Sequence, residues 1–438
     1  MTRSSLPAPR APTSRARRLA AALGLVLALA GPAPGQSHVD LLAAGDYPAA
    51  RKALAAQVAG RPDAALHMAF LDGLILTRQG RLAEATAIYR QILKAEPRFE
   101  PARRELTAIL AATGQTEGAV FHAERLLSTT QDQRLRAELT GLIAAQSAGK
   151  PRGITTRFSL LPSTNANGGT EADTVIVGGL PFTPDPQSRA QSAVGVNIGA
   201  TAWNRWQLGE RSDATLSAGF DHRHYNNAAV PSQTDAFARL DFGWTGARHR
   251  LSFGPVAEIT WKGGDRYRDR LGVAVVGQYQ ISPRLRFGGS LGLYRQRHPV
   301  DRFLDGTLAT GSVSLQRIMA PDLSLFLSVP FTIETTRAPH QTHRDLGLTV
   351  GVEKAWAGGL ITGFSLGQSV NRYKGDYPAF GEPRRDRVTT ARLALRHSDF
   401  RIGPFVPELT LTWTRSASNI PFHDYTRRDV GLFLSQRF

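Results

Sequence analysis

Hydrophobic side chains alternate with small or polar ones through most of the chain beyond Lys150. In "LSLFLSVPFTIE", Leu323, Leu325, Leu327, Val329, Phe331 and Ile333 fall on one face, and Ser324, Ser328, Thr332 and Glu334 on the other. "DLGLTVGVE" sets Leu346, Leu348, Val350 and Val352 against Gly347, Thr349, Gly351 and Glu353. "ELTLTWTR" sets Leu409, Leu411 and Trp413 against Thr410, Thr412 and Thr414. A period of two is the mark of a strand whose faces meet different media. The alternation outlasts the ~5–6 residues of a usual soluble strand.

Fourteen such strands are predicted, near 154–164, 190–202, 213–224, 232–244, 249–261, 267–281, 285–297, 307–319, 321–336, 342–354, 359–373, 386–398, 402–415 and 426–438. Their connections alternate in length. "TGARH", "SPR", "APD", "WAGG" and "DFR" are short, whereas 165–189, 225–231, 298–306, 374–385 and 416–425 are longer and polar. Short turns on one rim and long loops on the other describe an antiparallel outer-membrane β-barrel. Trp203, Trp206, Trp244, Trp261, Trp356 and Trp413 lie at or near predicted strand ends, where interface aromatics belong. The final "DVGLFLSQRF" places Val430, Leu432, Leu434 and Phe438 two or four apart. A barrel has no free edge, so this strand is expected to pair with the first. An even number of strands leaves both barrel ends on the periplasmic side.

Before residue 150 the pattern is helical and repeats. Gly45, Gly80 and Gly114 are 35 and 34 residues apart, and Pro62 and Pro97 are 35 apart. The glycines open "GDYPAARKAL", "GRLAEATAIY" and "GQTEGAVFHA". A period near 34 marks tetratricopeptide repeats, stacked helix–turn–helix units. The middle copy resembles that family most: Gly73, Leu76, Gly80, Ala85, Tyr89 and Pro97 fall at its spacings. Small residues at Gly73 and Ala85 let paired helices approach, Gly80 ends one helix and Pro97 the next. "TTQDQRLRAELTGLIAAQ" is expected to add a capping helix up to about Ala148. The expected fold is therefore helical tetratricopeptide-like repeats over 36–149 and a 14-stranded barrel over 150–438.

The first 35 residues read as a secretory signal: Arg15, Arg17 and Arg18 precede twelve mainly apolar residues, Leu19–Ala30, and then small residues and prolines. Twelve residues span only ~18 Å as a helix, short of a ~30 Å hydrocarbon core. Cleavage after Ala30 or after Gly35 fits equally well.

Composition removes several classes. The chain has no cysteine, which excludes disulfides, thiolate metal sites, a thiol nucleophile and a lipidated N-terminal Cys. The formal charge is +17, but residues 37–149 hold 13 basic against 12 acidic side chains. Residues 150–438 hold 35 against 24, mostly single arginines spread along the strands. That dispersal describes a polar wall rather than a phosphate-tracking stripe, and no nucleic-acid partner is expected.

"GGSLG" (Gly288–Gly292) and "GFSLG" (Gly363–Gly367) match a hydrolase motif that requires a strand–turn–helix context, yet both fall within predicted strands. His222 and His224 share a face near a loop, with Asp221 on the opposite face and no third ligand in sight. No catalytic residue, metal site, cofactor or phosphate loop is expected. Arg157, Asp221, Arg223, Arg239, Asp241, Glu258, Glu334, Glu353, Arg392, Arg396 and Glu408 read as facing inward. On the lipid side each would cost ~2–4 kcal/mol at the midplane. Fourteen strands lie between barrels filled by side chains and the open channels of about sixteen or more.

Signal, repeats and barrel together resemble the surface lipoprotein assembly modulator (Slam) family. "RFSLLPSTNANGGTEADT" is similar to its first strand and first loop, with Ser163, Asn165 and Asn167 on the pattern. The closing "LSQRF" is similar too, with Gln436 where a Tyr often stands. It resembles the signal read by the barrel-assembly machinery. The resemblance implies delivery of surface lipoproteins, or related secreted effectors, across the outer membrane, with periplasmic repeats engaging the client. It also implies contact with barrel-assembly machinery, periplasmic chaperones and outer-membrane lipid, by a monomer. A polysaccharide-export porin or a general solute porin with a repeat domain is the alternative.

Overall fold

Glycines phase the N-terminal helices. α1 (His38–Ala44) breaks at Gly45 before α2 (Tyr47–Val58), and α3 (Ala64–Arg78) at Gly80 before α4 (Leu82–Ala95). α5 (Glu100–Ala112) breaks at Gly114 before α6 (Thr116–Thr129), and α7 (Gln133–Ala148) follows. The three glycines have φ of 82°, 76° and 75°, the left-handed conformation that ends a helix without a Cβ clash. This computed structural model describes residues 37–437 except 131, 149–150, 228, 358, 398–399, 401 and 403–404. The signal read over 1–35 and the terminal Phe438 lie outside the described residues. The chain divides into two units, Met1–Gly149 and Lys150–Phe438.

In the helical unit each hairpin hides its apolar stripe on the next. Leu42, Leu54, Val58, Leu71 and Ile75 form one core from α1 to α3. Phe70, Ala85, Tyr89, Ile92, Leu106, Ile109 and Leu110 form the next, with Leu76 packed on its margin. Leu126, Leu127 and Leu139 join α6 to α7. Tyr89 is fully buried, and a Cβ on Gly73 would lie 2.5 Å from its ring. The phenol lies 3.2 Å from the Thr77 hydroxyl, which donates to the Gly73 carbonyl at 2.8 Å. The repeat signature is thus one contact: the glycine makes room for the tyrosine, and Thr77 satisfies its hydroxyl.

Near the third repeat, buried Arg103 donates to the Pro97 carbonyl and lies 3.1 Å from Nδ1 of His122. Burial, then the positive charges of Arg103, Arg125 and Arg90, hold the His122 pKa well below the ordinary imidazole value.

The second unit is a closed barrel. β1 (Arg152–Ser163) is followed by a short hairpin, β2 (Val175–Val177) and β3 (Leu180–Phe182). Then come β4 (Ala193–Gln207), β5 (Ser212–Tyr225), β6 (Gln233–Thr245), β7 (His249–Lys262), β8 (Asp265–Ser282) and β9 (Leu285–Arg297). β10 (Gly306–Ala320), β11 (Leu323–Thr336), β12 (His343–Ala355), β13 (Leu360–Asp376), β14 (Pro383–His397), β15 (Val406–Ser418) and β16 (Tyr425–Arg437) complete it. Barrel neighbours are antiparallel, and β1 pairs with both β4 and β16. Leu346, Leu348, Val350, Phe364, Leu366, Leu409, Leu411 and Val430 are exposed on the outer surface. A surface of that kind belongs in hydrocarbon, and strand pairing satisfies the backbone there.

Two details depart from the alternating pattern. The long first connection holds the β2–β3 hairpin. The β7–β8 connection, on the long-loop rim, is only Gly263–Gly264, with φ of 61° and 98°. Two residues of positive φ make the tightest hairpin turn, so no long loop is needed.

A Gly73→Ala chain should lose about 1–3 kcal/mol of helical-unit stability through overpacking against Tyr89. Gly141→Ala, where a Cβ meets nothing within 4 Å, should be neutral or gain up to about 1 kcal/mol. Urea unfolding of the full chain, followed by helical circular dichroism, compares the two. The His122 shift sets a sign as well. Its folded pKa lies below the unfolded value of about 6.5, so the unfolded chain takes up the proton first. Helical stability should fall as pH drops below about 6.5, and less steeply in His122→Gln, measured by the urea midpoint between pH 7.5 and 5.

Candidate functional site in the barrel lumen and at its seam

Strand parity sends one set of side chains outward and the other into the lumen. Phe158 is exposed, so Arg157 faces in; Leu216 and Phe220 are exposed, so Asp221 and Arg223 face in. Gly199 stands between Arg157 and Asp221 in the cross-strand row. A Cβ on Gly199 would overlap the Asp221 carboxylate. Its absence lets Arg157 reach Asp221 at 2.8 Å and Thr201 at 3.1 Å.

The same geometry recurs around the wall. Arg239 pairs with Asp241 at 2.5 Å, Arg396 with Glu353 at 2.8 Å and Arg392 with Glu408 at 3.4 Å. Glu258 meets Arg270 at 3.6 Å, and Glu334 accepts from Gln296 and lies 3.9 Å from His343. Arg223 pairs with no carboxylate among the described residues. Sequence reading missed charged residues at three places on the wall. Asp213 sits between Arg205 at 3.7 Å and Arg250 at 3.4 Å, Arg270 lies opposite Glu258, and Arg384 holds Asp386 at 2.7 Å. Parity places these inward as well, but Asp213 and Arg384 lie at strand ends, where alternation gives the weakest signal.

Such half-wet pairs add only ~0–1 kcal/mol each to stability. Their consequence is electrostatic: a charge-compensated wall without a broad field of one sign. The G-x-S-x-G serines are part of it. Ser290 lies within β9, 3.1 Å from the Ser312 hydroxyl, and Ser365 within β13. His222 and His224 bond Thr234 and Ser232 at 2.8 and 2.9 Å.

The first-loop residues do something else. Ser163 ends β1, and its hydroxyl accepts from the Asn165 backbone N–H at 3.3 Å. Asn165 is 1% exposed; its amide donates to the Gly169 carbonyl at 2.8 Å and accepts from the Gly169 N–H at 2.9 Å. Asn167 donates to the Gln187 and Arg189 carbonyls at 2.9 and 2.8 Å and accepts from the Gln191 N–H at 3.0 Å. The loop so braced reaches the last hairpin: Thr170 donates to the Pro421 carbonyl at 2.8 Å. Thr164 and Arg428 exchange two bonds of 3.0 Å, one from each backbone N–H.

These contacts lie at the end of the β1–β16 seam. Its register runs through Phe158↔Leu434 and Leu160↔Leu432, skips Leu161 and Pro162, and resumes at Ser163↔Asp429. The β1–β4 ladder has no such gap. Pro162 has no N–H to donate, so the Asn165 loop fastens the seam where its ladder is weakest.

This architecture has relatives. The sequence profile of the family described as "Surface lipoprotein assembly modifier" matches residues 154–438, all but the first two residues of the barrel strands. The chain belongs to that family. A tetratricopeptide-repeat profile matches residues 76–143. "Surface lipoprotein assembly modifier 1" of Haemophilus influenzae is 21% identical over 84% of this chain and 76% of its own length. "Surface lipoprotein assembly modifier 2" of Neisseria meningitidis serogroup B is 25% identical over 83% of this chain and 77% of its own. Among solved structures, a "Bacterial polysaccharide outer membrane secretin" covers 65% of this chain and 98% of its own, at TM-score 0.38 and 14% identity. The family member is a 14-stranded outer-membrane barrel, and the family's name points to assembly rather than catalysis.

Asn165→Ala removes one buried side chain that both donates and accepts. Each buried group left unpaired costs about 1–3 kcal/mol. The barrel should unfold at lower temperature in heat-modifiable electrophoresis, whereas Asn167→Ala, nearer the surface, should shift it less.

Proposed function

We propose that this chain is an outer-membrane translocator that delivers surface lipoproteins, or related secreted effectors, to the cell surface. Residues 1–35 direct export and are removed. The helical repeats stand in the periplasm and hold a partly unfolded client. The barrel passes that client outward through the lumen or along the β1–β16 seam. The observation that carries the reading is the union, in one chain of this family, of tetratricopeptide repeats with a closed barrel.

The lumen chemistry supports a polypeptide cargo. Paired charges such as Arg157–Asp221, Arg396–Glu353 and Arg392–Glu408 put both signs on the described wall, a lining that suits a polypeptide better than an acidic polysaccharide. A polypeptide of mixed charge meets groups of both signs along such a wall and is trapped by neither. Refolding or capture outside gives direction without local nucleotide hydrolysis. Val430, Leu432 and Leu434 face outward in β16, and with Phe438 they serve as the signal for the barrel-assembly machinery, reached with periplasmic chaperones. The protein acts as a monomer and needs no cofactor.

A chain lacking residues 37–149 but keeping its signal should still give a heat-modifiable barrel and should display no client on intact cells. Antibody labelling of the surface lipoprotein, with its total amount as reference, makes the measurement. Undiminished display would take the repeats out of the mechanism.

A further inference from the structure

The inward charges are mostly paired; one group of outward charges is not. On the outer surface at the long-loop rim, Arg344 of β12, Arg372 of β13 and Arg385 of β14 occupy consecutive cross-strand positions. Arg387, two residues along β14, and Lys374 of β13 extend the group. All five are exposed, and the four arginines contact no carboxylate among the described residues. Asp345, next to Arg344, lies on the inward parity of β12, and Asp376 and Glu382 lie further out on the β13–β14 hairpin. Asp386 faces the other way, held by two hydrogen bonds from Arg384 Nε at 3.0 and 2.9 Å.

Like charges directly opposite on neighbouring strands repel. Strands stand ~4.8 Å apart, so three guanidinium-bearing chains crowd into ~10 Å. A row of that kind calls for an anion. Between β13, β14 and β15 a pocket of about 680 Å³ opens at the same place. Arg372, Arg385 and Arg387 line it, with Val370, Ala417 and Ser418 and one edge of Asp386.

Position identifies the anion's source. On β13 the outward residues run Leu360, Thr362, Phe364, Leu366, Gln368 and Val370 before Arg372, apolar apart from Thr362 and Gln368. Ten residues at ~3.3 Å, tilted ~40°, rise ~25 Å, the height of a barrel's apolar band. Arg372 is the next outward residue beyond that band, at headgroup level, on the rim opposite the chain ends of the barrel. On β12 and β13 the exposed apolar side chains directly beneath share its face.

We propose that the β12–β14 rim binds the phosphorylated headgroup of an outer-leaflet glycolipid. Arg372, Arg385 and Arg387 embrace a phosphate in the pocket, and the acyl chains lie along Leu346, Leu348, Phe364 and Leu366. Bidentate guanidinium–phosphate contacts are the strong form of this interaction. The site fixes the barrel's height and rotation against the membrane, with the β1–β16 seam two strands from the lipid.

The full chain, stripped of lipid in detergent and placed in phosphatidylcholine nanodiscs, is titrated with bisphosphorylated lipid A and with its dephosphorylated form. Wild type should bind the phosphorylated form at least about tenfold more tightly, and the preference should shrink with added salt. Arg372→Gln/Arg385→Gln/Arg387→Gln should lose the preference. Arg317→Gln, an exposed outward arginine near the opposite rim, should keep it. Equal binding of the two lipids by wild type overturns the proposal, as does an undiminished preference in the triple variant. Displacement of lipid A by millimolar inorganic phosphate alone also overturns it, marking a site for a free anion. Should the triple variant fail heat-modifiable electrophoresis, the wild-type comparison of two lipids and its salt dependence still decide. None of these readings involves a client, so failure here leaves the translocation test standing.

Discussion

Within hydrocarbon every backbone N–H and C=O has to find a partner in the protein, and for a sheet that means closing on itself. In this chain closure falls on a single pairing, β1 with β16. The thirteen other strand contacts join neighbours in sequence order, each supported by a turn or loop; the seam joins residues more than 250 positions apart. The loop carrying Asn165 therefore matters beyond its own length. It gives the seam a covalently continuous brace from β1 to the last hairpin, through Thr164–Arg428 and Thr170–Pro421. The gap at Leu161 and Pro162 lies immediately inside that brace.

Lumen and outer surface obey opposite electrostatic rules. Inside, water and neighbouring strands let most of the arginines meet an acid, and cross-strand glycines such as Gly199 make room for the reach. Outside, an arginine has no use for a buried partner, and over the apolar band it would be intolerable. It is tolerated only beyond that band, where headgroups supply the counter-charge. Arg344, Arg372, Arg385 and Arg387 lie there. Net positive charge in the barrel half is thus two different things: a compensated wall and an uncompensated rim.

Much of this was legible in the sequence because alternation is a direct record of two media. Strand parity in "LSLFLSVPFTIE" or "ELTLTWTR" decides which side chain meets lipid, and the observed strands begin and end near the predicted ones. Gly45, Gly80 and Gly114 were legible for a different reason, since a positive φ leaves few alternatives to glycine. Pairing was not. That Arg157 would choose Asp221 depends on register across two strand boundaries, and no single stretch encodes it. The Gly263–Gly264 turn was hidden by the expectation of alternating loop lengths, which is a habit of the architecture rather than a requirement of its physics.

The role of Asn165 and Asn167 shows where family resemblance and physical reading part. Resemblance marks these residues without giving a reason. Geometry gives one that involves no ligand: a short amide that donates and accepts at once replaces strand pairing where the chain leaves the sheet. Serine or aspartate could not supply both bonds to Gly169, because a carboxylate cannot donate and a hydroxyl is too short to span them. A residue picked out by its family pattern is then a fastening of the barrel, and the chemistry that meets a client has to be sought on the lumen wall, at the seam and in the helical repeats.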